Sequence, residues 1–234
     1  MDGFQGWPTD ATAFLAEIAA DNSAEFWAAH RHRHTAAVHA PMRALAADLE
    51  AEFGTLRVFR PYRNRRFRPD APPYRTDTGG VALTAGGSVL AVVLSATALS
   101  ASAGHWSFDG GQLRRYRAAV DGPAGEDLGP LLNGLVDWTV HPGRALTGRP
   151  RGHRADHPRI GLLRLRGLQV ERSWPVGPWL GTREPLERVR AAWRAAAPLV
   201  AWLDAHVGPA EPEPPRPRPV TVPAASAVTA QPHP

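Results

Sequence analysis

The side chains best equipped for chemistry crowd into one stretch, Arg57 to Arg75, whose core reads YRNRRFRPDAPPYRT from Tyr62 to Thr76. Seven arginines there face a single acid, Asp70, and Phe59, Tyr62, Phe67 and Tyr74 are threaded between them. A guanidinium is a planar fork of N–H donors that can meet a phosphate or carboxylate through two bonds at once, and aromatic faces stack on flat ligands. Arg63, Arg66, Arg68 and Arg75 are therefore candidate ligand-binding residues. A second cationic segment, residues 143–172, carries eight arginines against Asp156 and Glu171, and adds Arg151 and Arg159 to the candidates. If the fold lays Tyr62–Thr76 beside Pro150–Arg159, the two form one anion-attracting face.

Acid–base chemistry has fewer options. His157 follows Asp156, but adjacent side chains rarely face each other, so Asp156 is expected to cap a short helix begun by Pro158. His157 is then expected to work with Asp70 or Tyr74 across the two segments, and these three are the candidate catalytic residues. His30 and His34, four apart on one helix face, have the spacing for a shared metal. No glutamate follows His30 as in zinc proteases and no third ligand stands out, so a polar helix face is expected and no metal site. The chain has no cysteine, hence no disulfide and no thiolate site. It also lacks a GxSxG elbow and a glycine-rich phosphate loop after a strand, so no cofactor can be named.

All 27 basic residues are arginine, which suits a GC-rich genome and makes the sequence pI of about 10.8 a weak argument for nucleic acid. The partner expected is a phosphorylated or acidic small molecule or a polyanion, with nucleic acid a weaker possibility and no membrane. The start, MDGFQGWPTD, has no cationic stretch followed by an apolar run, and the longest apolar run, Val89–Leu94, is too short to cross a bilayer. A cytoplasmic setting is expected.

Three helices are expected before Gly54, the first capped by Thr9, the second starting at Asn22 with Glu25 three residues on, and the third restarted or kinked by Pro41. Leu56–Arg63 reads as a strand. Prolines 69, 72 and 73 keep the cationic stretch out of a helix. Val81–Thr84, Ser88–Ser95 and Leu99–His105 read as an antiparallel meander with turns at 85–87 and 96–98. Helices are expected at 111–120 and 128–138, a strand at 168–174, and a last helix from the Thr182 cap. Trp106, Trp138, Trp174 and Trp193 are assigned to the core. The domain is set at 1–208, and the Pro-rich 209–234 is expected to be a disordered tail.

These residues resemble an uncharacterised family of conserved proteins, the domain of unknown function 2461. Its longest motif, of the form YRDVRFSKDKSPYKT, is similar to Tyr62–Thr76, with Asn64 in place of an aspartate, Pro69 and Ala71 in place of lysines, and Arg75 keeping a third lysine's charge. Asn22 before Phe26-Trp27, Gly104 before Leu113, Arg115, Tyr116 and Arg117, and Pro150-Arg151-Gly152 before Asp156-His157-Pro158-Arg159 follow the family pattern in order. The resemblance implies no established activity. Pattern and resemblance together point to an α+β domain, a mostly antiparallel sheet covered on one face by helices from both ends of the chain. Two functions fit. One is non-enzymatic binding of a phosphorylated or polyanionic ligand through the arginine-rich loop. The alternative is an enzyme acting on a phosphorylated or acidic substrate, with Asp70, Tyr74 and His157 near the chemistry.

Overall fold

A computed structural model of the chain describes residues 3–64, 66 and 70–211. Arg68 and the tail from residue 212, both named above, lie outside the described residues. Along the chain run α1 (Asp10–Ala20), α2 (Ala24–Arg33), a π-helical turn (His34–His39), α3 (Ala40–Phe53), β1 (Arg57–Val58), β2 (Asp77–Leu83), β3 (Val89–Ser95) and β4 (Ala98–His105). There follow α4 (Gly110–Asp121), α5 (Gly125–Asn133), β5 (Thr139–His141), α6 (Ile160–Leu163), β6 (Leu168–Pro175) and the long α7 (Glu184–His206).

The six strands form one sheet in the order β1-β2-β3-β4-β6-β5, every pairing antiparallel. The fold is therefore α+β. Leu90, Val92 and Leu94 of β3, Leu99, Ala101 and Ala103 of β4, and Leu168 and Val170 of β6 stand at every second position and are buried on one face, while β3 and β4 also bury some intervening residues, Ala91 and Ser102 among them. Helices from both ends cover that face: α3 lies on β1 and β2, and α7 on β4. Gly104 has φ +118°, and a Cβ there would stand 2.3 Å from the Leu168 carbonyl oxygen, so only glycine lets β6 close on β4.

Several local expectations are corrected. The cap of α2 is Ser23, whose Oγ accepts from the Phe26 N–H at 3.0 Å; Asn22 is used elsewhere. The strand expected over Leu56–Arg63 is two residues long, followed by a single bridge between Tyr62 and Tyr74. β5 was not anticipated, and α5 ends at Asn133, well before Trp138. The π-helical turn has a plain cause. Pro41 has no N–H to offer the carbonyl four residues back, and the ladder widens there, the Ala40 N–H reaching Thr35 at i−5. Trp193 is buried, but Trp106 is 67% exposed and so is no core residue.

The residues just past 208 are fastened down. Arg115 donates to the carbonyls of Val207 and Pro209 and pairs with Glu211 at 2.9 Å, and the Glu211 N–H donates to Asp109. Tyr116 donates to Leu162 O at 3.0 Å and Arg117 to Leu163 O at 3.3 Å. The Leu113–Arg117 motif therefore ties a strap and α6 to α4.

Candidate functional site

Asn22 is the pivot of the region around the cationic hairpin. Its Nδ2 donates to the carbonyls of Ile18 at 2.9 Å and Tyr74 at 3.2 Å, and its Oδ1 accepts from the Tyr74 N–H at 2.9 Å. One side chain thus meets an orphan carbonyl in the last turn of α1 and grips both backbone groups of a residue fifty-two positions on. The Tyr74 ring lies stacked on Trp27, centroids 4.6 Å apart at 15°, and Tyr62 meets Trp27 edge-on at 5.7 Å. The bridge between Tyr62 and Tyr74 is closed by Arg63 N–H to Pro73 O and Arg75 N–H to Pro61 O, each 2.8 Å.

Between this hairpin and the π-helical turn opens a cleft of about 570 Å³, lined by Trp27, Arg31, His32, His34, Thr35, His39, Pro61 and Tyr62. The π geometry matters here, because it sets His34 and His39 on one side, rings stacked with centroids 6.0 Å apart. Burial pushes His34 down to about 4, with His39 adding to the effect, and burial followed by the nearby Arg43 charge lowers His39 as well. Both imidazoles are neutral at pH 7. His39 Nδ1 is buried without a hydrogen-bond partner. His30 is not part of this pair: its ring stacks on Phe26 at 4.3 Å and its Nδ1 bonds the Phe26 carbonyl at 2.9 Å. Among the described residues no group of three potential ligands is placed to hold a metal ion.

These imidazoles make stability fall with acid. Unfolded, His34 takes up a proton near pH 6.5, and folded only near 4. Stability is therefore complete above 6.5 and declines as pH drops from 6.5 to 4. One pH unit across such a window is worth about 1.4 kcal/mol at most. With screening by water in the open cleft, a total of about 1–2 kcal/mol is expected. Asp10 and Glu17, whose carboxyls are lowered chiefly by hydrogen bonds from Arg33, begin to lose their contribution only as pH falls into the ordinary carboxylate range, at the acid edge of this window. The urea midpoint should drop between pH 7 and 4.5, and His34→Leu should flatten that drop. An unchanged slope in the variant would place the titration elsewhere.

The hairpin arginines differ in freedom. Arg75 is held by Asp77 and lies over the Phe59 ring at 4.4 Å. Arg63 is exposed, with one long 3.4 Å bond to Thr76, and Arg66 and Asp70 are exposed on the loop. Tyr74 is 8% exposed.

His157 belongs to a different neighbourhood. Its Nδ1 accepts from the Arg159 N–H at 3.0 Å, which leaves the neutral ring's proton on Nε2, facing Asp121 Oδ1 at 3.1 Å. His153 stands 3.5 Å from the same oxygen. Arg159, named above as a ligand-binding candidate, donates to the carbonyls of Val120, Asp121 and Gly122 at 2.7, 2.9 and 3.1 Å, so it caps the end of α4. Asp156 pairs with exposed Arg154 and caps no helix, and Arg151 is exposed.

The expected meeting of the two segments does not occur. The hairpin enters β2 at Asp77, which pairs with Ser95, whereas Pro150–Arg159 leads through α6 into β6 at Leu168, which pairs with His105. Those are opposite ends of the sheet, and β2 and β6 are three strand spacings apart, about 14 Å. His157 therefore shares no site with Asp70 or Tyr74. Reasoning from sequence also missed His39 and Trp27 as cleft residues. The signal for His39 was Pro41 two positions later, which forces the wider turn.

The motif that converges on this cleft, Asn22 with Phe26-Trp27 and Tyr62–Thr76, is spread over fifty-five residues and united only by the fold. The profile of the conserved hypothetical proteins DUF2461 matches residues 10–202. The chain belongs to the DUF2461 family. Among curated proteins none matches it. The DUF2461 match takes in α1 through nearly all of α7, so the Asn22 pivot, the cleft and the His157–Asp121 pair all fall inside the family domain.

Proposed function

We propose that this DUF2461 protein binds, without chemistry, a small ligand that carries a phosphate or similar anion on a flat group. The observation that supports it best is the joining of an aromatic wall (Trp27 and Tyr62) to cationic side chains at one open cleft. Flat groups stack on such rings, and exposed Arg31 and Arg63 can offer forks to an anion. His34 and His39, uncharged at pH 7, supply a donor or acceptor at the floor without adding charge. No described helix is long and apolar enough to cross a membrane, and the cytoplasmic setting expected from the cysteine-free sequence is part of this reading.

The enzyme alternative loses its basis, since it required His157 beside Asp70 or Tyr74. The test is a thermal-shift screen with AMP, ribose 5-phosphate and inorganic pyrophosphate, followed by titration of whichever raises the melting temperature. Tyr62→Ala and Arg31→Ala, both at exposed positions, should each weaken that probe by about tenfold, with the melting temperature of the free variant showing that it is folded. Affinity should also fall as salt rises. If none of the three probes raises the melting temperature, or both variants bind as tightly as the parent, the reading is wrong.

A further inference from the structure

The second cationic segment borders a cleft of its own, at the end of the sheet away from the hairpin. It has a volume of about 640 Å³ and is lined by Trp106, Phe108, His141, Gly143, Arg144 and Arg166. Its frame is three chain segments cross-tied by backbone bonds. Phe108 N–H donates to Arg166 O at 2.8 Å, Arg166 N–H to Pro142 O at 3.1 Å, and Leu146 N–H to Arg164 O at 2.9 Å. Gly143 has φ +65°, and a Cβ on it would meet the Gly167 amide nitrogen at 2.8 Å, so these segments are in close contact. The cleft is therefore preformed.

Its charges are unbalanced. Of the eight arginines in 143–172, Arg154 pairs with Asp156, Arg159 caps α4, Arg149 donates to His153 O, and Arg172 lies over Trp174. Arg144 and Arg166, on the cleft, have no acid partner among the described residues, and neither has Arg164, whose Nε is buried without any acceptor. Arg117 stands close enough to feel the Arg166 charge; burial, with that charge added, holds its guanidinium below its ordinary range. Among the described residues the carboxylate paired with a residue of this wall is Glu171, 3.7 Å from His141 Nε2 and too far for a hydrogen bond. Like charges gathered at a concavity repel unless an anion sits among them. Above them Trp106 is two-thirds exposed, its ring tilted 5.9 Å from His141. A tryptophan left in water over unpaired guanidiniums is the arrangement that receives a flat group attached to an anion.

We propose that this cleft is a second anion site, in which Arg166 and Arg144 hold a phosphate group and Trp106 stacks on the flat moiety that bears it. It shares no residue with the Trp27 cleft, so it does not depend on the function proposed above.

Phenyl phosphate is the minimal probe, because it joins one ring to one phosphate, and inorganic phosphate is the same anion without the ring. The intact chain, labelled with 15N, gives indole N–H signals, and the Trp106 signal is assigned by its loss in Trp106→Phe. Phenyl phosphate should move that signal. Arg166→Gln should weaken binding by about tenfold, the loss of one charge-assisted fork. Trp106→Ala should weaken phenyl phosphate but leave inorganic phosphate unchanged, whereas Tyr62→Ala, in the other cleft, should leave the Trp106 response as it was. Both substituted side chains are exposed, so the variants should keep the parent's melting temperature. A Trp106 signal that stays still at millimolar phenyl phosphate overturns the proposal. So does a response that survives Arg166→Gln intact, or one that Tyr62→Ala abolishes.

Discussion

Trp193→Ala is expected to lower stability by about 3–5 kcal/mol, the usual cost of deleting a fully buried large aromatic. Trp193 is 1% exposed and lies mid-way along α7, on the stripe formed by Leu186, Val189, Ala196 and Val200. Its ring meets Phe53 edge-on at 5.0 Å, the apolar contact between α3 and α7 beside the Arg194–Glu52 ion pair and the Arg190 bond to Asp48 O. A cavity there would be flanked by a helix from each end of the chain, and neither can move in without giving up its place on the sheet. One feature works against the loss. The Trp193 indole N–H is buried with no acceptor, and an unmet donor itself costs about 1–3 kcal/mol. Trp193→Phe, which keeps most of the ring and removes the orphan, should therefore cost far less than the alanine variant. Urea denaturation with an unchanged slope is the measurement. A midpoint equal to the parent's in Trp193→Ala would mean that α3 and α7 are held together by other contacts.

What could be read from the sequence was whatever is local or periodic. The nearly continuous apolar run over Ser88–Ser95, set off by the glycine turn at 86–87 and the short turn at 96–98, gave β3 and β4 to within a residue, because a short apolar run between turn signals is what a strand buried on both faces leaves in a sequence. The stripe in α7 was equally plain. Elements that depend on a partner were not. Asn22 has the look of a cap, and the side chain would cap α2 if Ser23 did not stand next to it and Tyr74 did not need both its backbone groups met. β5 is three residues, too short for any period to show. Charge was misleading in a specific way: two net-positive segments suggested one site, but strand order sends them to opposite ends of the sheet, and charge carries no information about strand order. His157 was expected to have Asp70 or Tyr74 as its partner, and the structure gives it another. That partner, Asp121, is the last residue of α4, thirty-six positions earlier, and nothing in its spacing announces it.

The side chain that joins fold to function is Asn22, and Asn22→Ala is expected to cost about 2–4 kcal/mol and to disable the Trp27 cleft. The substitution leaves the Tyr74 N–H and carbonyl unmet beside a buried ring, and a buried polar group without its partner costs about 1–3 kcal/mol. It also frees the Ile18 carbonyl in the last turn of α1, where water can take over. The Trp27–Tyr74 stack remains, but such a pair contributes only about 0.5–1.5 kcal/mol beyond its burial, too little to hold the hairpin in register alone. Asn22→Asp sharpens the test. A carboxylate can still accept from the Tyr74 N–H, but it cannot donate, and it would face two carbonyl oxygens. Its damage should be similar to that of alanine at neutral pH and should ease as acid protonates it. With the hairpin loosened, Tyr62 no longer stands against Trp27, so whichever phosphate probe binds the parent there should bind Asn22→Ala at least about tenfold more weakly. The Trp106 cleft, framed by residues 106–108, 142–146 and 164–167, should respond to phenyl phosphate as before. Urea midpoints and the two titrations settle the matter. If Asn22→Ala keeps the parent's midpoint, the hairpin is held by its rings. If it loses stability and still binds the probe, the cleft does not need the hairpin, and the ligand is held by α2 and the π-helical turn alone.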